Sequence, residues 1–518
     1  MPGVRASGVL LHPTSIPGPH GIGDLGPDAY RFVDFLATAK QRLWQVLPLG
    51  PVGVGDSPYA ARSAFAGNHL LISLEELALD GLLRREEVAS IPVGPIGPVN
   101  PQAVHSTKGP WLRLAFERLQ NGQAALRSEF EAFRDRQSFW LRDYALFATL
   151  QALHHGEPWR RWEPDLAMRD PATLARVENE LAEEIAFQEF VQFAFHRQWQ
   201  ALRAYAASRD VRIVGDIPIF VAEDSADVWA QRDLFLLDDD GNPLVVAGVP
   251  PDYFSKTGQL WGNPIYDWRA MREDGYLWWV NRLRRTLEMV DYIRLDHFRG
   301  FVAYWEVPAG ETTAVRGHWV DGPGRHLFDV LGERLGDLPF IAEDLGILTR
   351  RVINLRDELE LPGMKVLQFA FDGDPDNFYL PHNYVANSVV YTGTHDNDTV
   401  RGWFESAGPE TQHRVRVYLG RDGSDIAWDL MRVALSSVSD WAIVPLQDVL
   451  DLGSEARMNV PGQLGGNWSW RYHGQALTGW VAGRFADLTE TYGRAARPPK
   501  KRGMPETEAD LEVDAAEV

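Results

Sequence analysis

The stretch DYIRLDHFRGF, residues 291–301, decides the fold. Tyr292 to Leu295 is strand-like, and Asp296 ends the run before His297, Phe298, Arg299 and Gly300 break the pattern. Side chains alternate along an extended chain, so Arg294 and Asp296 face one space while Ile293 and Leu295 pack on the other side. Taken alone, such a pair reads as a structural salt bridge at a strand end. A chemical reading needs partners, and three further stretches offer them.

RIVGDIPIFV (212–221), PFIAEDLG (339–346) and NSVVYTGTHDND (387–398) are likewise strand-like runs that end in polar residues. Helical stretches lie between them, such as YLWWVNRLRRTLEM (276–289) and TRRVINLRDELE (349–360). Strands alternating with helices imply parallel strands joined by crossovers, in either an open doubly wound sheet or a closed barrel. Asp216, Asp296, Glu343 and the His395–Asp396 pair stand at the ends of four separate strands. A barrel gathers its strand C-termini around one mouth, which brings such residues together. The fold predicted is α/β, a (β/α)8 TIM-type barrel with helical and loop insertions between barrel strands.

Texture divides the chain further. Residues 1–105 carry GVLLH (8–12), the helical DAYRFVDFLATAKQ (28–41) and LWQVLPL (43–49), and read as N-terminal barrel strands with a loop insertion. Residues 106–210 read as a mainly helical insertion subdomain, being long polar–apolar stretches with few breakers. Residues 211–494 hold the remaining barrel strands, with a loop-like stretch at 248–268. The tail, 495–518, is charged and almost free of large apolar residues, so an acidic disordered segment is predicted.

Composition excludes several classes. With 51 basic and 72 acidic residues the net charge is -21, which repels nucleic acid and anionic membrane surfaces. A neutral substrate is indifferent to it. Cysteine is absent, so disulfides, thiolate metal sites and a cysteine nucleophile are excluded. No run approaches about 18 uninterrupted apolar residues, so no membrane span is expected. The N-terminus lacks the pattern of a signal peptide, and a cytoplasmic location is the expectation. The 19 Trp, 24 Phe and 15 Tyr exceed what core packing alone suggests, because several fall in loop-like sequence such as GQLWGNPIYDW and GNWSWRY. Flat apolar faces of this kind stack on sugar rings.

In a barrel, Asp296, Glu343 and Asp396 share one cavity. Like charges raise at least one carboxyl pKa, so one acid stays protonated near neutral pH. Glycoside chemistry uses such an arrangement, with one ionised carboxylate at the anomeric carbon and one proton donor at the leaving oxygen. Arg294 beside Asp296 is expected to keep that carboxylate ionised. Glu343 is the donor candidate, while its neighbour Asp344 alone could be a helix N-cap. His395 and Asp396 can both reach the site only if their strand has ended. They could equally form a turn, and one histidine with carboxylates is poor support for a metal.

These motifs resemble glycoside hydrolase family 77, the amylomaltases or 4-alpha-glucanotransferases of the α-amylase superfamily. The likeness extends from GVLLHPTSIPGPHGIGDLG (8–26) to RMNVPGQLGGNWSWR (457–471), and GVPPDYFSKTGQLWGNPIYDW (248–268) is similar to the family's long active-site loop. The resemblance implies that Asp296 is the nucleophile, Glu343 the general acid/base and Asp396 the transition-state stabiliser. It implies substrate contacts from Arg294, His395, Asp216, Tyr59, Trp261 and Asn467, with no metal and no cofactor. The implied activity is transfer of α-1,4-glucan segments between maltooligosaccharides by a retaining double displacement. Tyr253, Phe254 and Trp261 are the residues expected to shield the acceptor site from water. Two alternatives share these features: an α-amylase-type hydrolase and an inert glucan-binding protein. A monomer is slightly favoured, though nothing in the sequence fixes the oligomeric state.

Overall fold

The structure, a computed structural model, describes residues 4–251, 255–346, 348–463 and 465–496. Twelve strands are formed among these residues. The first three are β1 (Ala6–Leu10), β2 (Leu43–Gln45) and β3 (Arg212–Pro218). Then come β4 (Val245–Val249), β5 (Gln259–Pro264), β6 (Tyr292–Asp296), β7 (Ala303–Pro308) and β8 (His318–Asp321). The last four are β9 (Phe340–Ala342), β10 (Gly363–Val366), β11 (Ser388–Tyr391) and β12 (Trp441–Pro445). Eight of them close a parallel barrel in the order β1-β12-β11-β10-β9-β6-β3-β2. This is the (β/α)8 barrel predicted from the sequence.

The alternation seen in residues 291–301 fixes which way each side chain points. Tyr292 packs in an interior cluster with Val214, Ile341, Met364, Val389 and Tyr391. Ile293 and Leu295 lie in the larger apolar cluster between barrel and helices and are fully or almost fully buried. Each such aliphatic side chain contributes roughly 1.5–3 kcal/mol relative to an exposed position. Arg294 shares Tyr292's parity and therefore points inward. Across the β3–β6 ladder its register partner is Asp216.

Two barrel strands, β10 and β12, are not among the runs singled out above, and the loop-like stretch 248–268 is more ordered than expected. The end of β4 and all of β5 fall within it, and they join β7 and β8 in an antiparallel sheet ordered β5-β4-β7-β8. This second sheet grows from the segments that follow β3 and β6, so it stands at the C-terminal end of the barrel. Tyr253 and Phe254 lie outside the described residues, as does the predicted tail from residue 497 onward.

Helices fill most of residues 101–208, the longest being Pro101–Asn121 and Ala182–Ser208. Asn100 caps the first of these, its side chain accepting the Ala103 N–H. Lys108, fully buried on that helix, donates to Asp24 Oδ2 at 2.8 Å and to the carbonyls of Leu70 and Ile72. The barrel seam has a clamp of its own. Buried Arg494, beyond the helix Gly479–Thr491, donates to the carbonyls of Ala6, Leu435, Ser439 and Asp440 at 2.7–3.0 Å, tying β1 to the approach to β12.

Among the described residues no helix is long and apolar enough to cross a membrane.

Candidate active site

Asp296 is the last residue of β6, and Glu343 immediately follows β9. Leu295 is the register partner of Ala342, so the two carboxylates leave neighbouring strands at the same level. Asp216 lies inside β3 rather than at its end, with Ile217 and Pro218 still in the strand. His395 and Asp396 come four and five residues after β11, on a turn.

Arg294 is the hub. Its Nη1 lies 2.9 and 2.7 Å from the two Asp216 oxygens and 2.9 Å from Asp296 Oδ1. Burial opposes the guanidinium charge, but Asp216 and Asp296 outweigh it and hold Arg294 firmly protonated. The salt-bridge reading of Arg-x-Asp is therefore correct but incomplete, because the arginine serves two carboxylates. Tyr59 closes the other side. Its hydroxyl donates to Asp216 Oδ2 at 2.8 Å, and its ring stacks on His395 with centroids 4.9 Å apart. Burial, then the charge of Asp216, pushes the phenol well above its ordinary pKa, so it remains a donor.

Burial raises Asp296 to about 6, reinforced by Asp216 and Asp396 and opposed by Arg294 and His395. Arg294 pulls against this rise, but the loss of water is the larger effect. Glu343 is raised further, to about 7, by burial and then by the charge of Asp296. Arg294 and the N–H groups of Leu345 and His297 pull it back. Those bonds are 3.0 Å to Oε1 and 2.7 Å to Oε2. With both acids raised, the pair retains a proton into the near-neutral range.

The His395–Asp396 turn is built by its neighbours. Asn397 Oδ1 accepts both the N–H and the hydroxyl of Thr394, and Thr399 caps the helix Val400–Ser406. That frees Asp396, whose side chain is 48 % exposed, to face the mouth. Asn459 Nδ2 donates to Asp396 Oδ1 at 2.6 Å, and His395 Nε2 lies 3.4 Å from the same oxygen. Asp344 is not a helix cap. Thr349 precedes the helix Arg350–Glu358, while Asp344 accepts the Met364 N–H at 2.7 Å and pairs with Arg356.

Of the remaining candidates, Trp261 sits on β5 with its ring edge-on to His297, centroids 4.8 Å apart. Asn467 does not point into the site. Its Oδ1 accepts the Val460 N–H at 3.0 Å and its Nδ2 donates to the Gln463 carbonyl at 2.9 Å, so it braces its own loop. Its neighbour Trp468 contributes instead, with its ring 5.8 Å from both Tyr59 and His395. Sequence reasoning missed Trp468, although the aromatic-rich GNWSW already drew notice. It also missed Asn459, for which RMNVPG carries no signal. His297 was passed over too. Its left-handed backbone, φ 53°, turns its N–H toward Glu343.

Known proteins can be set beside this geometry. Residues 11–478 match the family described as 4-alpha-glucanotransferase, glycoside hydrolase family 77. A 4-alpha-glucanotransferase of Synechocystis is 50 % identical over 495 residues, covering 95 % of this chain and 98 % of that protein. One from Thermus thermophilus is 51 % identical over 476 residues, covering 90 % and 94 %. Among solved structures, an amylomaltase from Streptococcus agalactiae in complex with acarbose superposes with a TM-score of 0.92 at 38 % identity, covering 95 % of this chain and all of that one.

Proposed function

The chain belongs to the 4-alpha-glucanotransferases of glycoside hydrolase family 77 and is an enzyme of that kind; on this premise we propose that it transfers α-1,4-glucan segments between maltooligosaccharides through a covalent glucosyl–Asp296 intermediate. In the first step an Asp296 oxygen attacks C1 of the donor glucose. The C1–O bond breaks, and its electron pair leaves on the 4-oxygen, which takes the Glu343 proton. In the second step Glu343, now ionised, takes the proton of an acceptor 4-hydroxyl as that oxygen attacks C1 and releases Asp296. Two inversions give net retention.

The other residues have roles in the same proposal. Arg294 steadies Asp296 as its charge is consumed and restored. Asp396, with His395, hydrogen-bonds hydroxyls of the distorted sugar, and Asn459 fixes the carboxylate's direction. Asp216 and Tyr59 hold Arg294 and His395 in place. Trp261 forms part of the wall of the acceptor site, where a bound sugar competes with water. A cytoplasmic location belongs to this reading as well, supported by the lack of cysteine.

The observation that carries the proposal is the pair of acids that leave the neighbouring strands β6 and β9 at the same level, with Glu343 raised by burial and by the charge of Asp296. Incubation with maltotriose tests it, following chain lengths and total reducing ends together. Transfer gives glucose and longer chains at constant reducing ends. Rising reducing ends without longer products would mean hydrolysis, and no change would mean binding without turnover.

A further inference from the structure

The antiparallel sheet beside the barrel mouth carries an aromatic pair that nothing in the mechanism above uses. Trp305 on β7 and Trp319 on the edge strand β8 are register partners, and their rings meet edge-to-face with centroids 5.3 Å apart. Trp319 is 41 % exposed. An indole left this open on a two-tryptophan cluster gives up apolar burial that a core position would provide.

The pair is joined to the active site on two sides. Trp305 Nε1 donates to the Ala314 carbonyl at 2.8 Å, and the Ala314 N–H donates to the Thr257 carbonyl at 3.0 Å, within the loop that leads to Trp261. On the other side the Arg299 guanidinium lies 4.1 Å from the Trp319 ring centroid, and Arg299 feels the charge of Glu343. Arg299 is also three residues beyond Asp296, on the short turn Phe298–Phe301. The Trp305–Trp319 pair therefore links the segment leading to Trp261 with the turn that follows Asp296.

Direction follows from chemistry. A general acid stands beside the oxygen it protonates, so Glu343 marks the side of the leaving and incoming chains. We propose that Trp319, supported by Trp305 and Arg299, is a stacking platform for a distal glucose unit of the acceptor or leaving glucan. The neutral, flat face of an α-1,4-linked glucose suits an indole, and the platform continues a binding surface that begins at Trp261. This proposal rests on the transferase reading of the site.

The test uses soluble starch as donor and radiolabelled glucose, maltose, maltotriose or maltotetraose as acceptor, comparing the parent enzyme with Trp319→Ala and Trp319→Phe. In W319A the ratio of kcat/KM for the best long acceptor to that for glucose is expected to fall about tenfold, an effect of the size of one lost aromatic contact. W319F, which keeps a ring, is expected to retain most of that ratio. An equal loss on every acceptor, accompanied by a shifted basic limb of the pH profile, would mean that Trp319 acts only by holding Arg299 against Glu343, and the platform would be rejected. Unchanged ratios in both variants would also reject it. If the parent enzyme moves no label into any acceptor, the transferase reading fails instead, and the two failures are distinct.

Discussion

The backbone N–H of His297 donates to Glu343 Oε2 at 2.7 Å, so the residue after Asp296 holds Glu343. The proposed nucleophile and proton donor are thereby joined through a single peptide unit, and neither can shift far without the other. The left-handed conformation of His297 is the strained element that makes the bond possible.

A narrow bell-shaped pH profile is expected from this pairing. In the proposed mechanism Asp296 must be ionised, so kcat/KM for maltotriose is expected to fall as pH drops through about 6. The acid must be protonated, so the rate falls again as pH rises through about 7, where Glu343 loses its proton. The limbs belong to the pair rather than to either residue alone. A profile flat from about pH 4 to about pH 9 would contradict the assignment.

Asp296→Asn should abolish turnover, by about a thousandfold or more, without unfolding the barrel. Arg294 keeps its bonds to Asp216 when Asp296 loses its charge, and the packing of Ile293 and Leu295 is untouched. Turnover of maltotriose and thermal melting of the same preparation check both halves. A variant that melts far below the parent would make the Arg294–Asp296 contact primarily structural.

Trp261→Ala is expected to lower the ratio of transfer to hydrolysis. The indole sits edge-on to His297 and is 38 % exposed, so its loss opens the acceptor side to water without disturbing the barrel. Product chain lengths and total reducing ends, measured on one time course, give the ratio. An unchanged ratio would remove Trp261 from the wall.

Lys108→Met should destabilise the protein by about 3–5 kcal/mol, because it leaves Asp24 buried without its cation. Two carbonyls, of Leu70 and Ile72, lose their donor as well. Urea unfolding at neutral pH reads the change. Lys108→Met combined with Asp24→Asn should recover part of the loss, and failure to do so would place the cost in the carbonyls alone.

The barrel is legible in the sequence because strand-like runs alternate with helical ones and polar residues stand at or just beyond the ends of β6, β9 and β11. RLDHF shows this most plainly, since inward Arg294 and Asp296 interrupt an otherwise apolar run. What is not legible has physical causes. The run WAIVP of β12 is buried at every position, and a short continuous apolar stretch does not separate strand from helix. The four-residue β10, GMKV, is too short to show a period. The order in 248–268 comes from pairing with β7, a partner remote in sequence that no local pattern announces. Asn459 and the turn at His297 depend likewise on tertiary context. Asn467 shows the converse, since its side chain braces its own loop while the ring of the neighbouring Trp468 meets Tyr59 and His395.

The pairing of β1 with β12 also has a consequence for synthesis of the protein. Ala6 is the register partner of Trp441, so the strand made first waits for one of the last. Until Trp441–Pro445 leaves the ribosome, the nascent sheet carries two open edges, Ala6–Leu10 and Ser388–Tyr391, with unpaired backbone groups. Long-range closure of this kind is slow and exposes the chain to misassembly. Chains arrested before residue 441 should be cut readily by protease near β1, and chains extended past Arg494, whose guanidinium seals the seam, should resist.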